Sequence, residues 1–361
     1  MKKMMMGTAI ALLASAGAVS AQEWSVDVKG VFVGGFGYVD VGDDADNIGL
    51  VRDPEVHVIG ELVADNGLTF GIRTEIEAAD ASGTGSADID ENFGYVKGSF
   101  GEFQIGEADG AADRSKYAGD VGSPWSRSGD GVGMLFDGAY YGGDTNNLLD
   151  SFSLDTSDDL KISYFLPRFS GFTAGVSYTP SNNDNGRRST RGENRDAWEV
   201  GADYSGEFGG VSLGAGVGYT YFNDNNRAAG GDSTYAVGGS VSAGYAGFKL
   251  GVAYGFTEDG TDGAALGGTQ FEDNSTLQVG LSYATGPWTV GGDVAFHLDD
   301  VIVADNTAGN AVRGEQLGFG LGVAYSLAPG VSVGLGGEYI DNDTPGLDDG
   351  VAVGTWLGMR F

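Results

Sequence analysis

Cysteine is absent from the chain, and proline is scarce, with seven among 361 residues. The two histidines, His57 and His297, are far apart, so a zinc site of cysteine and histidine, or an HExxH pair, cannot be assembled. Basic residues are few, 19 against 51 acidic, for a formal net charge of −32. Phosphate binding needs cationic surface, so nucleic acid is excluded as a natural partner. Beyond the N-terminal stretch no apolar run approaches the ~20 residues of a membrane-spanning helix, because Gly, Asp, Ser or Thr interrupts each one.

What is abundant is glycine: 66 of 361 residues, about 18% against a usual ~7%. That content is hard to reconcile with helices, where glycine is costly in backbone entropy. Lys2 and Lys3, an apolar run from Ala9 to Val19, and the small residues Val19-Ser20-Ala21 form a secretory signal over residues 1–21, which leaves 22–361 as the exported domain.

Through that domain, side-chain character alternates with a period of two. Leu68, Phe70, Ile72, Thr74, Ile76 and Ala78 share one face of a segment whose other face carries Thr69, Gly71, Arg73, Glu75 and Glu77. Sixteen such segments occur, near 24–41, 50–64, 68–79, 89–98, 102–107, 159–166, 172–179, 197–205, 211–222, 234–245, 248–257, 275–284, 288–297, 314–326, 331–340 and 351–361. Most match the ~9–11 residues of a tilted strand crossing a bilayer. Tight turns such as Asp65-Asn66-Gly67, Ala246-Gly247 and Thr285-Gly286-Pro287 alternate with long polar loops such as 179–195 and 258–274.

In hydrocarbon every backbone N–H and C=O must be paired within the protein, so these strands have to close into a barrel. The expectation is an all-β, 16-stranded antiparallel transmembrane barrel, wide enough for an aqueous channel. Aromatic residues on the apolar parity fall near segment ends. Tyr204, Tyr245, Tyr283, Trp288, Tyr325 and Phe361 lie beside short turns; Tyr38, Tyr178, Trp198, Tyr219, Tyr235 and Tyr339 lie beside long loops, as two interfacial girdles would.

One connection, from about 107 to 158, is far too long for a simple hairpin. Folded inward, it would narrow the channel and present Asp109, Asp113, Arg114, Lys116, Asp120, Arg127 and Asp130; the alternative is an external lid. On the polar parity, the pore-wall candidates are Lys29, Arg73, Glu75, Glu77, Glu199, Asp203, Asp293 and Glu338, with Lys161 and Lys249 on the same face. Acids dominate, which predicts modest cation preference. Acidic loop tips such as Asp43-Asp44 and Asp348-Asp349 lack the spacing of a dedicated calcium loop, but could hold Ca²⁺ loosely; no other cofactor is expected. A second charged feature is basic: Arg187, Arg188, Arg191 and Arg195 suit lipid phosphate or a neighbouring subunit, or form a solvated loop.

Three stretches carry a resemblance: Trp24-Ser25-Val26-Asp27-Val28-Lys29-Gly30, Phe100-Gly101-Glu102-Phe103-Gln104-Ile105-Gly106, and a last segment ending in Phe361 with Met359, Leu357, Thr355 and Val353 at alternate positions before it. In that order they resemble the general porins of Gram-negative bacteria, especially alphaproteobacterial, Rhodobacter-type members. The resemblance implies an outer-membrane homotrimer of sixteen-stranded barrels with the third external loop folded inside. It also implies contact with lipid and lipopolysaccharide, and Phe361 as the signal read by the barrel assembly machinery. The chain departs from the family at Glu107, where members often carry Arg. It also lacks the Pro-Glu-Phe-Gly-Gly-Asp run of enterobacterial constriction loops, and Lys29 and Arg73 alone represent the arginine ladder.

The expected function is therefore a passive channel for ions and small hydrophilic solutes. A substrate-specific channel is the alternative, disfavoured by few aromatics on the polar parity. An outer-membrane barrel enzyme is a more distant one, since both histidines fall on the inward face.

Overall fold

The computed structural model describes residues 23–40, 46–78, 87–116, 124–125, 156–181, 195–224, 233–258, 274–298, 301–304, 311–314, 316–342 and 349–361. Sixteen strands form one closed antiparallel barrel: β1 (Ser25–Asp40), β2 (Asp46–Val63), β3 (Thr69–Ala78), β4 (Ala87–Gly98), β5 (Gly101–Glu107), β6 (Leu160–Phe165), β7 (Phe172–Ser181), β8 (Arg195–Phe208), β9 (Val211–Asp224), β10 (Thr234–Tyr245), β11 (Phe248–Thr257), β12 (Asn274–Thr285), β13 (Trp288–His297), β16 (Gln316–Ala328), β17 (Val331–Asn342) and β18 (Gly350–Arg360). One helical turn, α1 (Asp113–Lys116), follows β5. The expected fold class is the observed one.

Each strand pairs with its sequence neighbour, with one skip. β13 pairs directly with β16, because β14 (Val301–Ala304) and β15 (Ala311–Gly314) form a separate hairpin within that connection. Four residues of alternation were too few to read as strands in the sequence, and the expected segment 314–326 starts two residues before β16. Closure comes from β1 against β18, from Val31↔Arg360 to Asp40↔Val351. Beyond that ladder the Gly30 and Phe361 backbones exchange two further hydrogen bonds of 3.0 and 3.1 Å.

The turns have the chemistry their geometry demands. Ala246 and Gly247, with φ of 51° and 87°, join β10 to β11 directly across the pair Tyr245↔Phe248. Two successive positive φ values make a two-residue hairpin whose twist matches that of its strands.

The period-two pattern inverts the usual globular arrangement. Large apolar side chains lie outside, where Leu50 is 80% and Leu321 65% exposed, so the apolar surface is available to lipid rather than to a core. Ring pairs brace neighbouring strands at both rims. Phe172–Tyr204, Phe248–Tyr283 and Trp288–Tyr325 have centroids 4.4–4.6 Å apart beside the short turns, and Tyr178–Trp198 4.6 Å beside the loops. Such contacts add about 0.5–1.5 kcal/mol each beyond area burial.

Candidate functional site

The inner face of β1–β5 is charged. On β2 the inward residues run Asp53, Glu55, His57, Ile59 and Glu61 from the loop end to the turn end, and the register sets His57 against Glu75 and Glu55 against Glu77 of β3. His57 Nε2 meets Glu55 Oε2 at 2.9 Å, and its Nδ1 lies 3.1 Å from the Arg73 guanidinium and 3.3 Å from Glu75 Oε1. Arg73 is ion-paired with Glu75 and reaches Glu91 at 3.6 Å. Nearer the turns, the Tyr95 hydroxyl and Lys97 Nζ both donate to Glu61 Oε1, at 2.6 and 2.5 Å.

These side chains line a cavity of about 940 Å³, which also touches Lys29, Asp90, Glu102, Asp109, Asp113, Arg114, Asp158 and Arg360. Its lining includes Asp53, Glu55, Glu75, Asp90, Glu91, Asp109 and Asp158, with Arg73 and Lys29 as the permanent cations beside them. Burial pushes the Asp158 carboxyl up to about 7, reinforced by Asp90 and Glu91 and opposed by Lys161.

The opposite stretch of wall is built from small residues, and parts of the 107–158 connection lie against it. The Ala111 N–H donates to Ser177 Oγ at 2.9 Å, and a Cβ on Gly201 or Gly218 would collide with the backbone of Ala111 or Ala112. Two buried ions fasten the ends of the connection. Glu199, 1% exposed, accepts from the Ala112 N–H at 3.4 Å and from the Thr156 N–H and hydroxyl at 2.9 and 2.8 Å. Lys161, 2% exposed, donates to the carbonyls of Ala108 and Ser157. An anion gathers donors from both ends of the loop, and a cation gathers acceptors from both. Hydrogen bonds to charged groups contribute about 1.5–3 kcal/mol each.

A third anchor is Trp125, which is fully buried. Its indole N–H donates to Glu338 Oε2 at 3.2 Å, its ring meets Trp356 edge-on at 5.7 Å, and it sits on Gly322 and Gly336, where any Cβ would press on it. A tryptophan fits against this wall because these two glycines leave room for it.

The sequence-selected residues are thus distributed unevenly. Lys29, Arg73, Glu75, Asp109, Asp113 and Arg114 all line the main cavity, and Glu77 lines a second one with Asp90, Glu107 and Asp158. Asp203 pairs with Arg168 at 2.5 Å near the short turns. Glu75, Glu199, Asp293 and Glu338, expected as water-facing wall charges, are at most 6% exposed, because His57 and Arg73 lie against the first, Thr156 and Ala112 cover the second, Gln278 donates to the third at 3.0 Å, and Trp125 covers the fourth. Lys116 also borders the main cavity but is only 3% exposed: its Nζ pairs with Asp113 at 2.5 Å and its carbonyl accepts from Ser240. Asp120, Arg127, Asp130 and the arginines at 187, 188 and 191 lie outside the described residues, as does the signal segment.

Trp125 and the fastening role of Lys161 were missed. Neither has a motif; the available signal was the glycine concentration on the inward parity of β16 and β17 facing a long loop with a lone tryptophan. Among the described residues three groups of carboxylates, one including His57, bring donor atoms within 4.8 Å of one another, and in the group of Glu55, His57 and Glu75 the last is already ion-paired with Arg73.

A closed barrel with a lipid-compatible outside and an ion-lined inside defines a transmembrane β-barrel channel. A family model described as Gram-negative porin matches residues 8–345, and the chain belongs to that family. No curated protein sequence matches. Among solved structures, the anion-selective porin from Comamonas acidovorans is similar at 15% identity and a TM-score of 0.61, over 94% of this chain and 100% of that one. A variant of the Rh. blastica porin is similar at 18% and 0.58, over 93% and 100%. The trimer form of OmpT from Vibrio cholerae is similar at 14% and 0.58, over 94% and 99%. At these identities the likeness is one of fold. With the family, it makes the protein an outer-membrane porin, a passive channel and not an enzyme.

Proposed function

We propose that the protein is a general diffusion channel for ions and small hydrophilic solutes, with a modest preference for cations. The observation that carries this is the surplus of carboxylates lining the main cavity, eleven against six lysines and arginines. A ring of one charge sign sets which ions enter a pore. The connection from 107 to 158 acts as its constriction. In support, Ala111, Ala112 and Trp125 rest on inward-facing glycines, and Arg114, whose guanidinium carbon lies 3.9 Å from the centre of the Phe165 ring, borders both the main cavity and a smaller one beside the short turns. The exported chain begins after residue 21 and assembles as a homotrimer, as the trimer form of the V. cholerae protein does. It lies against outer-membrane lipid and lipopolysaccharide and uses Phe361 as its signal to the barrel assembly machinery. Divalent ions such as Ca²⁺ bind loosely at acidic loops, and no cofactor is needed.

Planar-bilayer recording of the purified protein in a salt gradient tests this. A reversal potential of cation-preferring sign is expected. Anion preference would overturn the selectivity, and the absence of conducting steps would overturn the channel itself.

A further inference from the structure

Between the girdles the outer wall is not uniform. On β11 the outward residues are Phe248, Leu250, Val252, Tyr254 and Phe256, a surface that hydrocarbon accepts. On β2–β4 the outward positions include polar groups. Arg52 follows Val51, which packs inside the barrel with Trp125, so the Arg52 side chain leaves the barrel and is exposed. Thr74 and Asn92 are register partners on β3 and β4, and Asn92 is exposed between the buried, inward-facing Glu91 and Phe93. The Thr74 hydroxyl donates to Asn92 Oδ1 at 3.2 Å on that surface.

These groups are not at a rim. Arg52 pairs with Gly34, which lies midway along β1 between Tyr38 of the loop-side girdle and Gly30, over which the Phe361 ring sits at the turn-side girdle. Thr74 and Asn92 fall in the middle of β3 and β4. A guanidinium on a lipid-facing wall is penalised most at the bilayer midplane, and an amide or hydroxyl has no water to bond to there. Among the described residues the Arg52 guanidinium has no hydrogen-bond or ion-pair partner. Beside it the wall is hollowed at Gly34, where a groove of about 820 Å³ opens between Phe32, Phe36, Leu50, Val333 and Leu357.

We propose, resting on the homotrimer reading above, that this wall is covered by a second copy of the chain, and that Arg52 is the residue that commits it to protein rather than lipid. The wall offers a free guanidinium, the oxygens of Thr74 and Asn92 as acceptors, and an apolar hollow beside them. One surface that carries donor, acceptor and hollow together is what identical copies around a rotation axis require of each other. With 51 acidic residues against 19 basic, a second copy is also rich in acceptors for a cation. In the assembly Arg52 is paired; in a lone barrel it faces hydrocarbon. It therefore disfavours the monomer as well as joining the oligomer.

The absence of cysteine lets single labelled positions test this. With a bimane on Thr74→Cys or, on the neighbouring strand, Asn92→Cys, fluorescence in phosphatidylcholine vesicles should resist quenching by brominated acyl chains, whereas Leu250→Cys on β11 should be quenched. Energy transfer between differently labelled Leu250→Cys subunits in dilute vesicles reads the assembly itself. There Arg52→Leu should shift the balance toward monomer about thirtyfold, the lower end of the penalty for an arginine at the midplane, and Arg52→Lys should shift it little. Equal quenching at 74, 92 and 250 in protein that shows energy transfer, or an Arg52→Leu protein as associated as its parent, would overturn the inference and leave the homotrimer standing. Absence of energy transfer in the parent would instead overturn the homotrimer reading.

Discussion

The inner wall of this barrel has two stretches of opposite chemistry. Along β1–β5 the inward positions include many charged side chains that line the main cavity, and ion pairs such as Arg73–Glu91 link adjacent strands. Along β9, β16 and β17 the inward positions are largely glycine, alanine, serine and threonine, and the bulk there comes from elsewhere in the chain, as Ala112 and Trp125. The first stretch is exposed to whatever passes; the second is a seat. The constriction proposed above needs both, because a loop can hold its position opposite a charged surface only if something behind it is shaped to receive it.

The comparison can be broken most directly at the seat. Trp125→Ala removes a fully buried ring, a change that costs about 3–5 kcal/mol at such sites, and should raise single-channel conductance with the barrel still folded. Gly336→Val should do the same from the other side, since its side chain would occupy the place of the indole. Unchanged conductance in both would mean that the seat does not control the narrow point. Glu199→Leu should have the next largest effect. It strands the Ala112 and Thr156 donors, at about 1–3 kcal/mol for each buried group left unsatisfied, and should appear as noisier open-channel current and easier proteolysis between 112 and 156.

Changes on the charged stretch should be smaller and of another kind. Glu91→Gln keeps an oxygen for the Asp109 N–H but removes one negative charge. It should lower the cation-to-anion permeability ratio by less than about twofold, because salt screens single charges over about 8 Å, and leave thermal stability nearly unchanged. The smallest effect should come from pH. Asp158, its pKa pushed up to about 7 by burial, is neutral below that value and ionised above it. Cation preference should therefore rise as pH is taken up through 7, and Asp158→Asn should flatten the change. A preference that falls with rising pH would contradict the assignment.

Most of the barrel was legible in the sequence, for a physical reason. A strand with lipid on one side and water on the other must alternate, so residues such as Leu68 to Ala78 announce both their structure and their orientation. The short β5 and β6 were legible too, because tight turns bound them on one side. The hairpin β14–β15 was not, since it crosses no membrane and has no such constraint. Parity also failed to separate the two inner stretches. It identifies Glu199 and Glu55 alike as inward, but whether an inward carboxylate borders the cavity or meets backbone N–H groups depends on where the long connection lies. Where its described residues lie is marked by small residues whose message is the space they leave, as at Gly322 and Gly336 beside Trp125.

The pairing of β1 with β18 has a consequence for how the molecule comes into being. Strands made first wait for the one made last, and until β18 arrives both outer margins of the sheet carry bare amides and carbonyls that hydrocarbon cannot solvate. A partly delivered chain therefore has no stable resting place inside the bilayer, and insertion and sealing must be completed together.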